Sequence, residues 1–111
     1  MEAKLLRLKL KPRSLQKVDA LLQKMKKDMN FVIDEMNQLK YFWDSVFIQT
    51  IDGNDYMYIV TKSEDFSKSP RQVLKSTPFR EYYEAFKKEC WSDDFIFIDS
   101  VWCPNKAVQL E

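Results

Sequence analysis

The segment Ile51-Asp52-Gly53-Asn54-Asp55 holds the only glycine of the chain. Aromatic-rich runs flank it, Tyr41 to Ile51 before and Tyr56 to Thr61 after. A sharp reversal between two strands needs residues that tolerate positive φ, and glycine does so without steric cost. The segment therefore predicts a tight β-hairpin. The other elements can be placed around it.

Upstream, Ala3 to Lys11 reads as a strand, with Leu6, Leu8 and Leu10 on one face and Leu5, Arg7, Lys9 and Lys11 on the other. Pro12 ends it, and Ser14 is a candidate N-cap for a helix from about Leu15 to about Gln38. Leu15, Val18, Leu22, Met25, Met29, Val32 and Met36 are spaced alternately three and four apart, which places them on one stripe. A straight helix of that length would measure roughly 35 Å. A seven-residue strand covers about 23 Å, so the helix is expected to overhang its sheet or to bend.

Downstream of the hairpin, Lys62 to Ser69 is loop-like or holds a short turn started by Ser63. Ser69-Pro70-Arg71-Gln72 has a capping-box pattern that predicts a short helix to about Lys75. Thr77-Pro78 opens a further helix, with Phe79, Tyr82, Tyr83, Phe86 and Cys90 on its inner face and the pair Arg80/Glu84 on a solvated side. Phe95 to Trp102 is the last strand. The order β-α-β-β-α-β predicts an α+β, ferredoxin-like plait over residues 1–104. Its antiparallel sheet, in spatial order 4-1-3-2, carries the helices on one face. Residues 105–111 form a tail.

Composition excludes several chemistries. There is no histidine, so Ser-His-Asp and Cys-His nucleophile systems and histidine-ligated iron are ruled out. One glycine cannot build a Gly-rich phosphate loop. Cys90 and Cys103 are too far apart for a redox pair, and they lack histidines to complete a zinc site, so no metal or other cofactor is expected. Eighteen basic and seventeen acidic residues nearly cancel, giving no pull toward nucleic acid or an anionic membrane. No membrane-length apolar run or signal peptide is visible, and a cytoplasmic protein with reduced thiols is the expectation.

The far face of the expected sheet is unusually apolar. On the second strand, Phe42, Val46 and Ile48 oppose Tyr41, Trp43, Phe47 and Ile51. On the third, Met57 and Ile59 oppose Tyr56, Tyr58 and Val60. On the fourth, Phe95, Phe97 and Val101 oppose Ile96, Ile98 and Trp102. Two helices cover one set only. Each large side chain left in water forgoes roughly 1.5–3 kcal/mol. A second copy paired sheet to sheet is one cover. The tail and the long first helix are the other.

The plait, the apolar second face and the size resemble the dimeric α/β-barrel superfamily, which includes antibiotic-biosynthesis monooxygenase-like proteins. Arg7-Leu8-Lys9-Leu10-Lys11-Pro12, Ile51-Asp52-Gly53-Asn54-Asp55-Tyr56 and Phe86-Lys87-Lys88-Glu89-Cys90-Trp91 resemble a small bacterial family of uncharacterised proteins, from Arg7 to about Phe97. The resemblance implies a homodimeric barrel that takes a small molecule. By superfamily analogy it also implies cofactor-independent monooxygenase- or isomerase-like activity. Superfamily members that degrade haem or oxidise quinols often rely on histidine or on an Asn/Trp arrangement, and this chain has no histidine.

The candidate ligand-binding residues are Arg7, Trp43, Tyr58, Tyr83, Glu89 and Trp91. Arg7 could clamp a ligand carboxylate bidentately, or pair internally with Asp99 or Asp44, or stand exposed. Glu89 could serve as a base in a dry pocket or be a solvated charge. The aromatic residues could line a pocket between helix and sheet, or be ordinary packing. No catalytic residue is assigned. A non-enzymatic interaction or regulatory module is the alternative function. RNA binding fits less well, because Asp55 to Thr61 lacks the glycines and basic start of the RNA-recognition strand motif.

Overall fold

The computed structural model describes residues 1–69 and 77–104. The elements are β1 (Glu2–Leu10), α1 (Leu15–Lys27), α2 (Met29–Leu39), β2 (Phe42–Ile51), β3 (Asn54–Ser63), a 3-10 turn (Phe66–Lys68), α3 (Pro78–Cys90) and β4 (Trp91–Asp99). The four strands form one antiparallel sheet in the order β2-β3-β1-β4, so β1 and β3 are central. The expected helix after Ser69 and the tail beyond Pro104 lie outside the described residues. No described helix is long and apolar enough to cross a membrane.

The hairpin forms as its sequence requires. Ile51 pairs with Asn54, leaving the two-residue loop Asp52-Gly53. Both loop residues have positive φ, 50° and 77°, the signature of a type I′ turn whose twist matches that of the strands. Nothing lies within 4 Å of where a Gly53 Cβ would stand, so backbone conformation alone favours glycine there.

The order is not a simple βαββαβ, because the expected single first helix is two. It breaks at Asp28, whose carbonyl accepts from both Phe31 and Val32 N–H at 3.0 and 3.2 Å. Asp is a weak helix former, and the Asp28 carboxylate lies 2.9 Å from Lys24 Nζ. The break relieves the length mismatch with the sheet and turns Val32, Glu35, Met36 and Leu39 inward. Leu15 and Met29, expected on the inner stripe, are exposed. Lys40 in the left-handed region closes α2. Ser69 Oγ donates to the Leu39 carbonyl and Ser63 Oγ to that of Lys40, both at 2.6 Å, satisfying groups the helix leaves open.

Ser14 stands at the N-cap of α1 without capping it; its hydroxyl donates instead to the Lys11 carbonyl at 2.7 Å. Thr77 does cap α3, accepting from Arg80 N–H at 3.0 Å with Pro78 in the first turn. The 3-10 turn is capped by Asp65 rather than by Ser63. Strand β4 starts at Trp91, directly from α3, and ends at Asp99, so Val101 and Trp102 lie outside it.

The core is Leu6, Leu8 and Leu10 of β1 and Met57 and Ile59 of β3, covered by Val18, Leu21, Val32, Phe79, Phe86 and Cys90 from the helices. Tyr82, expected inside, is exposed, and both cysteines are free. Strand β2 carries a bulge: Trp43 pairs with Thr61, yet Ser45 pairs with Val60, so Asp44 is an extra residue. The bulge reverses the expected facing of Trp43, which joins Val46 and Ile48 on the helix side.

The far face holds Leu5, Arg7, Phe47, Tyr58, Val60, Ile96 and Ile98 in register. Phe42, Phe47, Ile51, Ile96 and Ile98 are all exposed there. The helices do not reach β4 fully, so Phe95 and Phe97 on the helix side are exposed as well.

Candidate functional site

The incomplete cover leaves a cavity of about 550 Å³ between the helices and the sheet. Its floor is the helix side of the sheet: Lys4 and Leu6 from β1, Ile59 and Thr61 from β3, Trp43 from β2, and Phe95 and Phe97 from β4. Met25 of α1 and Val32, Glu35, Met36 and Leu39 of α2 form one wall. Phe79, Arg80, Tyr83 and Lys87 of α3, with Trp91 at its end, form the other. Tyr41 and Phe66 close one side.

Tyr83 is the hub of the aromatic wall. Its ring lies 5.5 Å from Trp43 edge-on, 6.1 Å from Phe79 and 6.3 Å from Phe86. The Arg80 guanidinium stands 5.2 Å and the Lys87 ammonium 5.6 Å from its centroid. Lys87 also stands 5.1 Å from the Trp91 ring, and Lys4 lies 4.9 Å from that of Phe66. Each cation thus rests on the negative face of an aromatic ring.

Arg80 ties α3 to α2. Its Nε donates to Glu35 Oε2 at 3.2 Å, its Nη2 bonds Glu35 Oε1, and its Nη1 donates to Glu84 Oε1 at 2.6 Å. Arg80 is therefore no solvated surface residue, as the i, i+4 spacing with Glu84 had suggested. The fork bridges two helices at the cavity wall and is committed to carboxylates. Burial pushes the Tyr83 phenol far above its ordinary pKa and raises that of Tyr41. Like any phenol at neutral pH, both are protonated and can donate. Neither hydroxyl has a hydrogen-bond partner among the described residues.

Three of the six sequence candidates, Trp43, Tyr83 and Trp91, meet in this cavity. Arg7 and Tyr58 do not; they pair across β1 and β3 on the opposite face of the sheet. Arg7 is exposed and makes no ion pair among the described residues. Asp44 is instead 3.5 Å from Lys62, and Asp99 is on the helix side, in register with Lys4. The Tyr58 hydroxyl donates to Gln49 Oε1 at 2.6 Å. Glu89 lies on the outer side of α3, exposed and 3.0 Å from Lys17, whose pKa its hydrogen bond raises.

Lys4, Glu35, Tyr41 and Arg80 are cavity residues that the sequence reading did not select. Glu35 and Arg80 each adjoin an apolar inward position, Met36 and Phe79, and that adjacency is the available signal. The inner position of Lys4 follows from the alternation with Leu6.

The chain is thus an α+β domain with a four-stranded antiparallel sheet and an apolar, aromatic-walled cavity under its helices. It belongs to the Family of unknown function (DUF6176), which matches residues 1–101. No curated protein matches it. No solved structure matches it either.

Proposed function

We propose that the domain binds a small, largely apolar molecule in the cavity between its helices and sheet, and that two copies pair through the far faces of their sheets. The cavity supports the first part. A space of about 550 Å³, walled by aromatic and methionine side chains and edged by a few polar groups, has the size and lining of a ligand site. A void of that size left unfilled would forfeit packing that the same side chains could make with a ligand. The sequence resemblance to dimeric α/β-barrel proteins favours the same reading by analogy.

Supporting the second part, five exposed large apolar side chains on the far face are more than a solitary domain usually shows to water. They come from β2 and β4, the two edges of the sheet, so a two-fold stack would cover both edges together. An open face serving another protein is the competing use of the same surface.

Thermal-shift and calorimetric titrations with naphthalene-sized and medium-chain apolar probes test the binding reading. Saturable binding at one site per chain, lost in Met36→Trp, which fills the cavity, is the expected result. Equal binding by the filled variant, or no binding by any probe, would overturn it. Sedimentation equilibrium tests pairing: a two-chain particle is expected, and a stable single-chain particle at tens of micromolar would leave the face to another protein.

A further inference from the structure

Among the described residues, four charged side chains line the cavity: Lys4, Glu35, Arg80 and Lys87. Their commitments differ. Arg80 is held by Glu35 and Glu84 together. Lys4 makes no ion pair among the described residues; its ammonium lies over Phe66. Lys87 meets a carboxylate only at 4.0 Å, the limit of an ion pair, and otherwise rests over Tyr83 and Trp91. Asp99 is opposite Lys4 in register without pairing to it. Two ammonium groups thus border an apolar space on aromatic faces, with their charge largely uncompensated. Lys4 comes from the floor and Lys87 from the α3 wall.

We infer that the ligand is an apolar acid: an aromatic or alkyl body in the cavity, with a carboxylate head met by one of the two weakly paired ammonium groups of its lining, Lys87 or Lys4. This rests on the reading of the cavity as a small-molecule site and adds the class of molecule. A cationic head would meet like charge at either site, and a neutral head would bring no counter-charge to it. The neutral phenols of Tyr41 and Tyr83 are further donors in the lining, and they too suit an acceptor head. The Glu35 carboxylate does not oppose this, because the guanidinium covers it.

The test uses the unmodified chain and two apolar bodies, decyl and 2-naphthyl, each carrying a carboxylate, a carboxamide or an ammonium head. Binding is followed by calorimetry and by the fluorescence of Trp43 and Trp91. The carboxylates are expected to bind about tenfold tighter than the carboxamides, the ordinary worth of a charge-assisted hydrogen bond, and the ammonium probes weakest. The double substitution Lys4→Gln, Lys87→Gln is expected to remove the carboxylate's advantage, so that the carboxylate and carboxamide probes bind alike. The melting curve of the double variant checks that it is folded. Equal affinity for all heads, or an ammonium preference, would overturn the inference while leaving the cavity reading standing. No binding by any probe would overturn both.

Discussion

Replacing Arg80 by methionine removes the tie between α2 and α3 and keeps the apolar stem against the Tyr83 ring. The Arg80 side chain is 20% exposed and that of Glu35 is 13% exposed, so the pair is mostly withdrawn from water. Loss of the guanidinium strands the Glu35 carboxylate, and an uncompensated charge at such a site costs about 3–5 kcal/mol. The remaining exposure of Glu35 places the expected loss at the low end, about 3 kcal/mol. Glu35→Met should cost less, about 1–2 kcal/mol, because Arg80 keeps its 2.6 Å bond to the half-exposed Glu84. The double variant strands neither buried charge, and it should be more stable than Arg80→Met alone by about 2 kcal/mol. Equilibrium unfolding in urea, followed by tryptophan fluorescence at constant m-value, measures all three. An Arg80→Met cost below about 0.5 kcal/mol, or a double variant weaker than either single one, would refute the view that this fork closes the cavity wall.

Gly53→Ala should cost about 1–2 kcal/mol, because a Cβ in the left-handed region is strained even where nothing crowds it; Gly53→Asn should cost clearly less, and urea midpoints compare them. Thr77→Ala should cost about 1 kcal/mol through loss of the α3 cap, with Thr77→Ser restoring most of it. Tyr41 and Tyr83 have folded pKa values raised by burial, so their contribution to stability is complete below pH 10 and is lost as pH climbs above it. Absorbance at 295 nm should show a phenol fraction that ionises late, together with alkaline unfolding, and that fraction should vanish in the Tyr41→Phe, Tyr83→Phe double variant. In the proposed pair, Phe47→Lys on the far face should give single chains in sedimentation without lowering the monomer's unfolding free energy by more than about 0.5 kcal/mol.

Much of what local chemistry governs was legible in the sequence, although Ser14 stands at its N-cap position without capping. The Asp52-Gly53 turn, the Thr77 cap and the β1 alternation each follow from neighbours within a few residues, and the central places of β1 and β3 follow from element order. Features set by distant contacts were not legible. Period-two alternation assumes an unbroken ladder, so the extra residue Asp44 reversed the facing of Trp43, and only the pairing with β3 reveals it. That the first helix overhangs or bends was expected from the shortness of the sheet, but the place of the break was not, because the apolar stripe continues through Asp28 in the sequence text. Arg80 reads as a surface residue because its i, i+4 partner is Glu84, whereas Glu35 reaches it from 45 positions away. Tyr83 and Trp91 were found because large aromatic side chains beside the core have few other places to go; Trp43 was selected as an aromatic residue but expected on the opposite face of its strand. Arg7 and Tyr58 were grouped with them although the pleat puts them on the other side of the sheet.

The most direct measurement is a titration of isotope-labelled protein with 2-naphthoate, followed by amide, indole and methyl chemical shifts. If the cavity is the binding site, the shifts should concentrate on Met25, Val32, Met36 and the indole groups of Trp43 and Trp91, with Phe47, Ile96 and Ile98 unmoved. Shifts confined to the far face of the sheet, or none at millimolar probe, would contradict the account.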